Sequence, residues 1–310
     1  MKWLVAFTCL VASLAGYAQS NDELRRRLEA REREIQELKE KLQKLEKRDG
    51  VPEPEDEELN RALERTLVQQ GAMVLPARSY ELEPQIAYAV WDRDRGPFRY
   101  EWDSALALRA GIGWQSQLQV RVPYVHLATA TDSATGLGDI SLSLTRQLAR
   151  EDRGRPAIFA AVGWLAHTGE DAFAGGIPTG GGFNVPQAAL TAVKRYDPLV
   201  YFGGFSYAAP RSREVAGVRL DPGHTWGLRG GAILAATPET SVNVGLNLGF
   251  ASAARVDGLR VPDSDTVLGT IQLGFGTVLT RRLMLNVSGE FRTSGPVPNF
   301  RLTIGLPFRF

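Results

Sequence analysis

Phe300-Arg301-Leu302-Thr303-Ile304-Gly305-Leu306-Pro307-Phe308-Arg309-Phe310 closes the chain, and every even position in it is apolar. Arg301, Thr303, Gly305, Pro307 and Arg309 fill the odd places, so the stretch is one strand with a greasy face and a polar face. In a soluble sheet that alternation puts core on one side and water on the other. In a membrane barrel it puts lipid outside and a polar lumen inside. One strand fits both, and the rest of the chain has to choose.

The opposite end supplies a compartment. Lys2, the apolar run Trp3 to Leu14 and the small-x-small site Gly16-Tyr17-Ala18 read as a signal peptide over 1–18. Cys9, the single cysteine, lies inside that run, so the mature chain is expected to carry neither disulfide nor thiol chemistry. Nothing downstream approaches the roughly 18 consecutive apolar residues of a spanning helix. A chain that crosses a membrane without one must do so as a closed barrel. The 36 basic residues against 35 acidic are not gathered on one segment, which argues against nucleic acid as a partner. The 32 glycines suit many strands and turns better than a helical enzyme.

Between the leader and the strands lies a different pattern. Leu24, Leu28, Arg31, Ile35, Leu38, Leu42 and Leu45 recur at alternating spacings of four and three, a heptad seam interrupted by one arginine. Ser20 with Glu23 has capping-box spacing, and Gly50 ends the run. With Leu28 at position a, the flanking pairs Arg27 with Glu32, Glu34 with Lys39 and Lys41 with Glu46 are all of opposite sign, as a parallel self-association requires. A periplasmic coiled coil is therefore expected over 19–50, as dimer or trimer, with a solitary charged helix as the plainer reading. Residues 51–79 read as a linker rich in Pro and acid, then a short amphipathic helix with Leu59, Leu63 and Leu67 on one face and Gly71 at its end.

From Tyr80 the period changes to two. Alternating runs at 80–90, 100–108, 118–124, 140–148, 242–250, 267–279 and 283–291, weaker ones at 157–167, 185–196, 199–208 and 224–236, and the final strand make about twelve, the even number a bacterial barrel needs. The connections alternate too. Short ones fall near 111–114, 150–155, 197–198, 237–239 and 281–282, and long ones at 92–97, 129–135, 168–183, 210–223 and 252–265. Tight turns on the periplasmic side with long loops outside is the asymmetry of an outer-membrane barrel. The expected fold is therefore all-β, a transmembrane antiparallel β-barrel of about twelve strands over 80–310, preceded by the α-helical coiled coil. Both termini then face the periplasm. Phe308 and Phe310 resemble the terminal signal read by the barrel-assembly machinery.

If the apolar parity faces lipid, the other parity lines the lumen with Glu81, Glu83, Glu101, Asp103, Arg109, Arg121, Asp139, Glu290, Arg292 and Arg301. The mixed signs fit either a weakly selective wet path or a closed set of interlocked ion pairs. The Gly-rich stretch 168–183 is long enough to fold inward, and no Gly-Lys-Ser/Thr follows its glycines, so it is not a phosphate loop. His126, His167 and His224 each fall near the outer end of a strand without carboxylates or cysteines at ligand spacing. Neither a metal, a cofactor nor catalysis is expected.

Leu67-Val68-Gln69-Gln70-Gly71 with Leu75-Pro76, Gly136-Leu137-Gly138-Asp139, Thr168-Gly169-Glu170-Asp171, Asp197-Pro198-Leu199-Val200 and Leu306-Pro307-Phe308-Arg309-Phe310 together resemble the meta-pathway phenol-degradation family of outer-membrane proteins. The resemblance implies a transporter-like barrel for small, hydrophobic or aromatic molecules, to which the stalk is an addition. The expected function is an outer-membrane channel or transporter of this kind, self-associated through its stalk. The alternative is an envelope anchor that presents the coiled coil to peptidoglycan or a periplasmic partner.

Overall fold

The computed structural model describes residues 54–91, 99–171 and 177–310. The expected leader, the coiled coil and the connection at 92–97 lie outside them. Residues 58–310 form one compact unit. Helix α1, Pro54–Gln69, runs into it, and every described element after the helix is strand and turn.

β1 (Tyr80–Trp91), β2 (Arg99–Gly113) and β3 (Ser116–Thr129) are consecutive antiparallel neighbours. β4 (Ser133–Leu137) and β5 (Ser141–Ala149) both pair with β3 and are two parts of one stave, interrupted at 138–140. β6 (Ala157–Leu165), β7 (Val185–Tyr196) and β8 (Leu199–Ala208) continue the wall. β9 (Arg213–Val215) and β10 (Val218–Asp221) stand apart from it, β11 (Thr225–Thr237) and β12 (Thr240–Ala251) return to it, and β13 (Arg255–Val256) and β14 (Leu259–Arg260) leave it again. β15 (Thr266–Val278), β16 (Met284–Ser294), β17 (Phe300–Gly305) and β18 (Phe308–Arg309) complete the circuit. Pro307, with no N–H to give, sits in the break between β17 and β18.

β1 pairs with β2 on one side and with β17 and β18 on the other, which closes the sheet. Counting each broken stave once gives the twelve-strand antiparallel barrel read from the sequence. At the seam Tyr80 and Phe310 exchange backbone bonds of 3.1 and 3.0 Å, and their rings stack at 6.0 Å. Arg309 reaches across the same seam to Glu81 at 3.3 Å. Side chains alternate as the pleat requires: on β2 Leu106 is 48% exposed and Ala107 0%. The exposed parity carries Ile86, Trp102, Leu142, Leu190, Phe205, Leu228, Val244, Leu273 and Ile304, an apolar skin around the cylinder.

One end of the barrel carries the short turns and the other the long loops. Two of those loops are folded: β9 and β10 form one hairpin, β13 and β14 another, and together they make a separate four-stranded sheet. Both turn on two consecutive residues with positive φ, Ala216-Gly217 and Asp257-Gly258, the type I′ geometry that matches strand twist. The connection expected at 129–135 is a tighter turn than the sequence suggested. Thr129 and Asp132 close it through backbone and side-chain bonds, so β4 starts already at Ser133.

Removing Phe308-Arg309-Phe310 takes away the β1–β18 register, the Tyr80–Phe310 bonds and the Arg309–Glu81 pair together. The truncated chain is expected to lose the heat-modifiable migration of a folded barrel in gel electrophoresis, while the full chain keeps it.

Candidate functional site: the barrel interior

The interior has two unlike walls. On β1, β2, β3 and β17 the inward parity sets charged residues among alanines and the apolar Val125 and Leu127, and most of those charges are paired. Arg109 donates from Nη1 to Glu81 at 2.9 Å and to Glu83 at 2.5 Å, with all three side chains no more than 5% exposed. Glu81 and Glu83 lie two residues apart on one face of β1, so the guanidinium between them neutralises two carboxylates that would otherwise repel. Arg309 adds a second cation at Glu81. Arg121 pairs with Asp103 at 2.5 Å and Arg301 with Glu101 at 3.2 Å. Seven of the ten residues expected to line a lumen are thus brought into ion pairs with one another or with Arg309. Glu290 and Arg292 have no ion-pair partner among the described residues.

Asp139 does something else. Its Oδ1 accepts the amides of Thr168 (3.1 Å) and Gly169 (3.0 Å), and its Oδ2 that of Gly181 (2.7 Å). Thr168 Oγ1 donates to the Gly138 carbonyl and Thr179 Oγ1 to that of Leu137. The described ends of the glycine-rich loop are therefore tied to the break in the fourth stave. Arg213 holds the same loop from the neighbouring hairpin, through Asp171 and through the Gly182 carbonyl at 3.1 Å.

The opposite wall, on β6, β7, β8 and β11, is apolar toward the short-turn end. Phe159, Val193, Val200, Phe202 and Ile233 are buried there around Leu67 of α1 and Ala72, with Leu63, Met73 and Val74 packed against them. The end of α1 thus lies inside the barrel. Ala62, Arg65, Thr66, Leu67 and Val68 are all no more than 4% exposed, a helix buried on several faces rather than one. Polar contacts fix it to the rest of the wall: Thr66 Oγ1 lies 2.6 Å from Ser241 Oγ, Asn286 bonds Gln69, and Arg65 donates to the Arg281 carbonyl at 2.5 Å.

Gly71 ends α1 at φ +65°. The Ala72 amide bonds Leu67 O (2.8 Å) and the Gly71 amide bonds Val68 O (3.1 Å), a Schellman cap whose hydrophobic contact is Ala72 with Leu67. The chain then runs along β2, where a Cβ on Gly111 would collide with the Pro76 carbonyl, and the Leu75 amide donates to Gln117 Oε1 at 2.9 Å.

Toward the long-loop end the same wall recedes. Ala161, Gly163, Ala189, Ser206 and Ala208 line a cavity of about 320 Å³, with Ser143, Gln187 and Thr225 supplying polar edges. One register row nearer α1, Arg229 donates to Thr191 Oγ1 at 2.5 Å. The interior is thus open on one side at the loop end and filled by a helix at the turn end.

The histidines are not gathered. His126 Nδ1 lies 2.6 Å from Thr135 Oγ1, His224 Nδ1 lies 2.8 Å from the Tyr207 hydroxyl, and His167 is 3.2 Å from Asp171. The oligomerisation residues Leu24 to Leu45 fall outside the described residues. The sequence reading did not anticipate the helix inside the barrel. The available signal was on the strands: 157–167, 185–196, 199–208 and 224–236 have blurred alternation because apolar or small residues occupy both parities where α1 docks.

No protein-family model matches this chain, and no curated protein resembles it in sequence. Among solved structures it is similar to the COG4313 outer membrane channel from Pseudomonas putida F1, at 16% identity and TM-score 0.68 over 77% of this chain and 97% of that one. It also overlays on the translocator domain of the autotransporter NalP from Neisseria meningitidis, at 11% identity and TM-score 0.49, over 82% and 95%. The first likeness shows the fold: this chain shares the barrel of an outer-membrane channel.

Two substitutions probe the two walls. Leu67→Ala removes the best-buried side chain of the helix, at a cost of about 2–5 kcal/mol, and is expected to speed hydrogen exchange over 62–72 while the strands stay protected. Arg109→Met strands the buried Glu83 and leaves Glu81 with Arg309 alone, at about 3–5 kcal/mol, and is expected to lower the denaturant midpoint of the whole barrel.

Proposed function

We propose that this chain is an outer-membrane channel for small solutes, entered from the long-loop end and closed at the short-turn end by its own helix α1. One observation carries the reading: a water-accessible chamber opens in the interior on the loop side of a helix seated in the barrel, with Arg229 between the two. A barrel that served only as an anchor has no need of a chamber lined by alanine and glycine. The long loops then face outward and the short turns, with both termini, face the periplasm. Outer-membrane lipid covers the apolar skin, and the assembly machinery reads Phe308 and Phe310.

The small uncharged residues that line the chamber favour compact apolar or aromatic solutes, in keeping with the resemblance to the phenol-degradation family. The paired wall of Glu81, Glu83, Glu101, Asp103, Arg109, Arg121 and Arg301 gives the lumen a near-neutral, rigid side and no single-sign ring to select ions. Residues 19–50 join copies into a parallel dimer or trimer through Leu24, Leu28, Arg31, Ile35, Leu38, Leu42 and Leu45. The filled turn end is the observation that favours the second reading, an anchor for the periplasmic stalk.

Thr66 and Ser241 place their hydroxyl oxygens 2.6 Å apart, close enough for a disulfide between cysteines at those positions. In liposomes the oxidised Thr66→Cys/Ser241→Cys protein is expected to pass no small aromatic solute, and a reductant is expected to restore wild-type flux. Deleting 54–76 is expected to raise flux several-fold. Equal flux with the disulfide closed would place α1 outside the path, and no flux with α1 deleted would favour the anchor.

A further inference from the structure

A cavity of about 600 Å³ lies outside the lumen. Its floor is made by Trp226 and Phe250, register partners on β11 and β12 whose side chains belong to the exposed apolar parity. They sit at the loop-end rim, where Tyr207 packs tilted against Trp226 at 4.2 Å and stacks on His224 at 5.7 Å. The cavity is therefore at the outer surface of the barrel, level with an aromatic belt. Its roof is the small sheet of β10, β13 and β14.

On that roof Arg255 and Arg260 are direct cross-strand partners. Like charges opposite each other in a hairpin repel. Arg260 has a counter-charge in Asp265 at 2.8 Å, whose carboxyl is held below its usual range by the Arg260 hydrogen bond. Arg255 has none among the described residues. Asp221 stands opposite it on β10 but turns its carboxylate to the Gly223 amide at 3.0 Å. Two guanidiniums side by side, one of them unneutralised, over an aromatic floor continuous with the lipid-facing skin, call for an anion attached to an apolar body.

We propose that this cavity binds a phosphorylated glycolipid of the outer leaflet, its phosphate between Arg255 and Arg260 and its sugar and acyl chains against Trp226 and Phe250. Guanidinium groups hold phosphate oxygens through paired hydrogen bonds, and aromatic rings at an interface take the sugar face and the chain beneath it. The site rests on the outer-membrane placement proposed above, but not on transport. It turns the two folded loops into a clamp that fixes the loop end against the membrane surface.

The test uses the full mature protein, purified in detergent and stripped of lipid, with lipid A as probe and native mass spectrometry as readout. Lipid A is expected to bind one per barrel at this site, and enzymatic removal of its phosphates to weaken binding about tenfold or more. Arg255→Gln/Arg260→Gln is expected to do the same with heat-modifiable migration unchanged. Trp226→Ala, which spares both arginines, is expected to weaken lipid A while keeping the dependence on phosphate. Equal binding of dephosphorylated lipid A, or an unaffected double variant, would overturn the proposal. So would inorganic phosphate binding as tightly as lipid A, which would make this a soluble-anion site. A barrel that folds and inserts yet ignores lipid A sinks this site alone, whereas a chain that stays soluble without detergent sinks the membrane placement itself.

Discussion

Inside a bilayer no water is available to backbone N–H and C=O groups, so a strand protein can cross only if its first and last strands pair. In this chain β1 meets β17 over Gln85–Val90 and β18 at Glu81 and Leu82. That circular pairing decides which way every later side chain points. The even positions of the last strand are apolar because they are the outside of the seam, and Arg301 and Arg309 are odd because they are the inside, where they reach Glu101 and Glu81.

Closure at twelve staves leaves an interior too wide to be filled from the wall alone. The molecule solves this differently on its two sides. Near the seam, arginines and carboxylates of nearby strands satisfy one another, with Arg109 bridging two glutamates as the most buried example. Across the barrel the wall bears apolar and small side chains instead, and a separate element fills the space: α1, docked on Phe159, Val193, Phe202 and Ile233 through Leu67. Where α1 stops, at the Gly71 cap, the small residues of the same wall leave the chamber open. The cap thus sets the boundary between filled and open interior.

Strand number, turn order and lipid-facing parity were legible in the sequence because each is a local repeat: period two along a strand, and long then short between strands. The docked helix was not, because its partners are far away in the chain. Leu63 and Leu67 read as one face of a surface helix, and only the wall reveals that Ala62, Arg65, Thr66 and Val68 are buried as well. The wall did carry the information, as apolar residues where polar ones were due, in strands such as 157–167 whose pattern looked merely weak. Among the expected lumen residues, the ion partners sit on other strands, so each could be named but not paired. Asp139 was read as a wall charge, yet it lies where β4 breaks from β5 and turns to three amides of the glycine-rich loop. A local pattern gives a residue's parity, while its partner is set by where the stave is interrupted.

The claim on which all of this depends is that β1 and β17 are neighbours in a sealed cylinder. Ala87 and Thr303 are register partners across that seam. In membranes, the protein bearing Ala87→Cys and Thr303→Cys is expected to form an intramolecular disulfide in high yield under mild oxidation, with folded migration retained. No crosslink in a correctly inserted protein, or crosslinks only between molecules, would contradict the closed barrel and the account built on it.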